Sequence, residues 1–310
     1  MSVAAASGGM RPRAISELLD DTFRQYRRHF TLLATVSLLV SIPGLVLGVA
    51  VALAAANVQQ FATGLQPGAT SAELQAFFQQ VAGQLLPIFV VGGLLTLAAA
   101  PLIYGAPMKA AVEVIAGRNA TIGSVLRGTL GRYFPLLGLI GLYVLFLIAL
   151  SIAAVLAIVL AGALNQAVIA VVAIVALIGL AVWLGIRWAL VLVAMFAEEA
   201  GPVRALGRSF QLVRGEWWRT LGILILLELL IGILSVALGG VFSLLFAVIP
   251  DLSLPARQAL SQVTSSLVGA VLEPIPALTI TLLYFDFRVR KEGYDLEELA
   301  RQAAQGPASA

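Results

Sequence analysis

The sequence has no cysteine, one histidine (His29), two lysines (Lys109 and Lys291) and only 11% charged residues. Without thiols there is no disulfide, no thiolate nucleophile and no cysteine-held metal. One histidine leaves no imidazole pair for a metal or a proton relay. No Walker A loop, GxSxG, HExxH or paired-aspartate metal motif occurs. Asp20 and Asp21 are adjacent on a helical pattern and so point apart, with Arg24 a ready partner. The expectation is therefore a chain that is not an enzyme and takes no cofactor. A formal net charge of +3 is small, and no nucleic-acid partner is expected.

What the chain has in abundance is apolar sequence, 60% of its residues. Runs of about 20 apolar residues recur, the length that crosses hydrocarbon as a helix. They are continuous rather than alternating, which excludes a membrane barrel. Six spans are expected, near 31–56, 82–106, 134–161, 166–196, 219–249 and 262–286. All but Arg257 of the 19 basic residues then fall on one side. The positive-inside rule makes that side cytoplasmic, with both termini. Residues 1–30 carry no early apolar core, so no cleaved signal peptide is expected.

Three segments before the odd-numbered spans share one pattern. In each, apolar residues fall on one helical face, arginines on the other, and an aromatic residue ends the segment: RRHF, GRYF and GEWW. Such helices lie in a membrane interface, apolar side down and basic side toward headgroups. Thr121 reads as an N-cap, Pro202 as a first helical residue, and Asp295 with Glu298 as a capping box. The fold class expected is all-α and polytopic, with six transmembrane helices arranged as three hairpins, each preceded by a cytoplasmic interfacial amphipathic helix. The chain reads as one membrane domain, 1–310. Its repeats span about 13–106, 119–196 and 201–286, with a cytoplasmic tail and short helix at 287–310.

Three charges fall inside spans: Arg187, Glu228 and Glu273. Counting back from Glu198-Glu199 and forward from Trp218 puts Arg187 and Glu228 at similar depth. A charge in hydrocarbon is costly, so pairing is expected. Two readings stay open, a structural Arg187–Glu228 pair or a site for an anion and a proton. Glu273-Pro274-Ile275-Pro276 should interrupt its helix, because two prolines there delete two backbone bonds. Gly44 and Gly48 form a GxxxG, and Gly239-Gly240 a second small pair, where helices can approach closely.

The N-terminal RPRAISELLDDTFRQYRRHF, the central RWALVLVAMFAEEAGPVRALGRSFQLVRGEWWRTLG and the C-terminal LLYFDFRVRKEGYDLEELA resemble one bacterial family. It is the integral-membrane family named after the membrane domain of glycerophosphoryl diester phosphodiesterase. The resemblance implies a bacterial inner-membrane protein. Phosphodiester chemistry in fused members resides in a separate domain that uses acidic residues and histidines, and with one histidine that chemistry is not expected of this sequence. The functional expectation is a module that binds membrane lipids, anionic ones foremost, or a membrane or cytoplasmic protein partner. Arg24, Arg27, Arg28, Arg208 and Arg214 are the candidate headgroup contacts. A small transporter or flippase built on Arg187, Glu228 and Glu273 is the alternative, with a lipid-modifying enzyme behind it.

Overall fold

The computed structural model describes residues 14–63, 70–249 and 252–293. The expected helix at 295–303, with its capping box, lies outside the described residues, as do Arg11, Arg13 and Arg301. Every described element is helical: α1 (Ile15–Arg28), α2 (Phe30–Thr63), α3 (Ser71–Ile115), α4 (Ile122–Leu130), α5 (Tyr133–Ala163), α6 (Ala167–Arg187), α7 (Val191–Ala197), α8 (Pro202–Val213), α9 (Trp217–Ala247), α10 (Leu254–Leu272) and α11 (Pro274–Glu292).

Among the described residues, six stretches are long and apolar enough to cross a bilayer. In hydrocarbon backbone N–H and C=O groups must bond internally, and helices supply those bonds along each run. Local chemistry fixes where helices start. Thr121 accepts from the Ser124 N–H (3.1 Å), Thr70 from that of Glu73 (3.3 Å), and Pro202 opens α8. Between α8 and α9 the chain turns through Gly215 at φ 84°, a left-handed conformation that glycine adopts without a Cβ clash.

Two expected spans are broken. The run 166–196 is not one helix: α6 ends at Arg187, residues 188–190 form turns, and α7 sets off separately. The last span divides at Glu273, where Pro274 and Pro276 cannot donate to the preceding turn. The second run is longer than expected. Helix α3 continues for 45 residues, about 67 Å, through Pro87, Pro101 and Pro107.

Consecutive long helices pack as pairs, α2 with α3, α5 with α6 and α9 with α10, and α10 also lies along α2. The buried core sits at one end, hereafter the basic end. There α11 runs among α1, α3, α7 and α8, with Leu278, Tyr284 and Phe287 fully enclosed. Away from that end the helices part. Ile158, Val175 and Leu244 of α5, α6 and α9 are exposed, as lipid-facing residues are. A groove of about 230 Å³ between α2 and α10 is lined by Thr35, Leu38, Ser41 and Ser266.

Candidate functional site

The basic end is held by ion pairs converging on α11. Asp286, 2% exposed, takes Arg219 from α9 and Arg290 from its own next turn, both at 3.0 Å. Arg208 of α8 bridges Glu198 (2.7 Å), just after α7, and Glu292 (2.5 Å) at the end of α11. The hydrogen bond to Glu292, then that to Glu198, raises the Arg208 pKa above its ordinary value. Tyr284 also donates to Glu198 (2.5 Å), and Arg288 pairs with Glu292 (3.0 Å). Lys291 donates to the carbonyls of Leu212 (2.7 Å) and Arg214 (2.5 Å), satisfying the orphan C-terminal acceptors of α8.

Arg208 thus corrects one expectation. Helical periodicity puts it on the polar face of α8, but it turns inward onto two carboxylates instead of toward headgroups. The other four candidate arginines are exposed. Arg24 is 69% exposed with Asp21 at 2.7 Å, and Arg27, Arg28 and Arg214 are exposed. Arg127 of α4 and Arg204 of α8 are exposed too. At the start of α2, α5 and α9 stand the exposed rings of Phe30 (44%), Phe134 (78%) and Trp218 (78%). Beside them, burial and then the Arg28 charge lower the His29 pKa, so its imidazole favours the neutral form.

The three intramembrane charges do not meet as expected. Because α6 stops at Arg187, this residue lies at the basic end rather than mid-span. Its guanidinium is stacked over Trp183 (4.8 Å) and Phe210 (4.2 Å). The Trp217 indole donates to the Trp183 carbonyl (3.4 Å), which sets the level of α9 relative to α6. Glu228 is eleven residues further along α9, roughly 16 Å deeper. It is exposed and meets no cation among the described residues, so the Arg187–Glu228 pair does not form. Glu273 occupies the α10–α11 break, half-buried, where the Tyr26 hydroxyl donates to the Val271 carbonyl (2.7 Å). Leu227, Leu272 and Ile275 form one apolar cluster, so Glu228 and Glu273 flank the same level of the bundle, apart from Arg187.

Sequence reasoning missed Arg219 as the partner of Asp286, and the Trp183–Phe210 clamp on Arg187. Neither leaves a local signal, since Asp286 and Arg219 are 67 positions apart. No group of three or more histidine, cysteine or acidic residues among the described residues can hold a metal.

Among the described residues, all-helical structure with six stretches long and apolar enough to cross a bilayer defines an all-helical membrane protein. Residues 31–279 match the family described as a domain of unknown function, DUF7847. That stretch is most of the chain, which therefore belongs to this family. No curated protein and no solved structure matches.

Proposed function

We propose that the protein is a non-enzymatic membrane module that gathers anionic lipid headgroups, or a partner protein, at its basic face. In this reading α1, α4 and α8 are interfacial amphipathic helices, each introducing one hairpin of a threefold repeat. The basic face is cytoplasmic, and the membrane is the bacterial inner membrane. The kinship with the glycerophosphoryl diester phosphodiesterase membrane family belongs to the same proposal.

One observation carries it. Exposed arginines on α1, α4 and α8 precede an exposed aromatic ring at the start of α2, α5 and α9. Aromatic rings prefer the headgroup level, and basic residues just outside it attract anionic lipid. Transport through one site built from Arg187, Glu228 and Glu273 draws no support from their separation.

The test is lipid selectivity in nanodiscs, read by quenching of tryptophan fluorescence with brominated phosphatidylglycerol against brominated phosphatidylcholine. Replacing Arg24, Arg27, Arg28 and Arg214 by glutamine should remove the preference for the anionic lipid. The expected loss is about 1 kcal/mol per residue at low salt, and less within a shortened Debye length. A preference unchanged by all four substitutions would refute the proposal.

A further inference from the structure

Four part-buried arginines at the basic end, Arg208, Arg219, Arg288 and Arg290, each meet a carboxylate. Arg187 is half-buried and meets none among the described residues. Among the described residues its buried Nε has no hydrogen-bond partner, and the rings of Trp183 and Phe210 face its guanidinium. Lys291 is within electrostatic reach of Arg187, so a second cation adds to the local positive field. Glu216 and Glu292 are the carboxylates that act on Lys291, and neither forms an ion pair with Arg187. A cation withdrawn from water beside a like charge is destabilising unless an anion joins it.

The surrounding backbone is fixed. The Ser209 hydroxyl donates to the Arg187 carbonyl (2.7 Å) and accepts from the Leu190 N–H (3.1 Å), which locks α8 onto the end of α6. The Trp217 indole ties α9 to the same turn. Above the guanidinium, Trp183, Leu180 and Val172 follow Arg187 at helical spacing along one face of α6, and all three are exposed. A preorganised planar fork thus stands at the foot of an apolar stripe left exposed among the described residues.

We propose that this corner of α6, α8 and α9 seats one lipid phosphodiester. The Arg187 Nη groups bond its phosphate, Trp183 and Phe210 hold the guanidinium plane, and the acyl chains lie along Leu180 and Val172. Guanidinium suits the role because its parallel donors match phosphate oxygens. A lipid fits better than soluble phosphate, since only a lipid supplies both the anion and the chains for the stripe. The seat is distinct from the belt of exposed arginines and does not depend on it.

The test uses the full chain in nanodiscs containing phosphatidylglycerol, released into mild detergent and weighed by native mass spectrometry. The wild type should retain one phosphatidylglycerol through delipidation. Arg187→Gln should lower its occupancy about tenfold, the scale of lost charge-assisted bonds. Arg187→Lys, which keeps charge but not the fork, should fall between. The Arg24→Gln, Arg27→Gln, Arg28→Gln variant should keep the retained lipid, which separates failure of the seat from failure of the belt. Should Arg187→Gln not fold, Phe210→Leu keeps the apolar packing and removes one ring, and it should still weaken retention. Wild-type retention in a folded Arg187→Gln or Phe210→Leu protein would overturn the proposal. So would displacement of the lipid by inorganic phosphate, which would make the ligand a soluble anion.

Discussion

Replacing Asp286 with asparagine tests how the basic end holds together. The Asp286 side chain has no exposure, and it pairs with Arg219, 17% exposed, and Arg290, 30% exposed. Asparagine keeps the shape but removes the charge and turns an amide donor toward two guanidinium groups. Breaking a fully buried pair costs about 3–5 kcal/mol, mostly because the surviving charge stays dry. Arg219 keeps some contact with solvent and the Phe287 ring 6.0 Å away, which places its share near the lower end. Arg290 lies at the rim, where pairs contribute less than about 1 kcal/mol. The expected loss is about 3 kcal/mol, roughly two orders of magnitude in the folding constant. Reversible unfolding in mixed micelles, titrated with dodecyl sulfate and followed by circular dichroism, measures it. A cycle with Arg219→Gln should show coupling of at least about 2 kcal/mol, because the double variant leaves neither charge alone. An Asp286→Asn protein within about 0.5 kcal/mol of wild type, or an additive cycle, would refute the reasoning.

Two further substitutions use the same titration. Tyr26→Phe removes the hydroxyl that bonds the Val271 carbonyl and should cost about 1 kcal/mol. No loss would mean that the α10–α11 break is held without α1. Glu228→Leu replaces an exposed carboxylate that meets no cation among the described residues, on a helix of membrane-spanning length, and should stabilise the protein by about 2 kcal/mol. Destabilisation would show that this carboxylate has a partner in the membrane.

Several features of the fold were legible because their signals are local. The α4 cap at Thr121, the start of α8 at Pro202 and the break at Glu273 follow from one or two side chains acting on their own backbone. Six membrane-length runs follow from composition over about 20 residues. The site was less legible because its contacts are distant in sequence. Periodicity correctly puts Arg208 on the polar side of α8, yet Glu292, 84 positions later, covers that side. Arg187 was misplaced for a geometric reason. Depth counted back from Glu198 assumes a straight helix, and the turns at 188–190 remove that assumption. No strong breaker marks the bend, since RWALV contains neither glycine nor proline.

The uneven packing of the bundle has a physical cause that bears on where function sits. In hydrocarbon an exposed leucine costs nothing, so apolar surface does not drive these helices together; close approach and polar contacts do. Helices α2, α3 and α10 have the close approach. A methyl group at Gly48 would collide with Gln262 of α10, and one at Gly92 with Leu47 of α2. On α9, by contrast, a methyl at Gly239 or Gly240 would meet nothing, and the same holds for Gly44 on α2. The α5–α6 pair and α9 carry polar contacts at the basic end: Arg132 on the Ala200 carbonyl (2.5 Å), Trp217 on Trp183 and Arg219 on Asp286. These polar contacts lie at the same end as Arg187, which meets no carboxylate among the described residues. An anion bound at Arg187 would join α6, α8 and α9 where polar contacts already fasten them, and would tighten the assembly there.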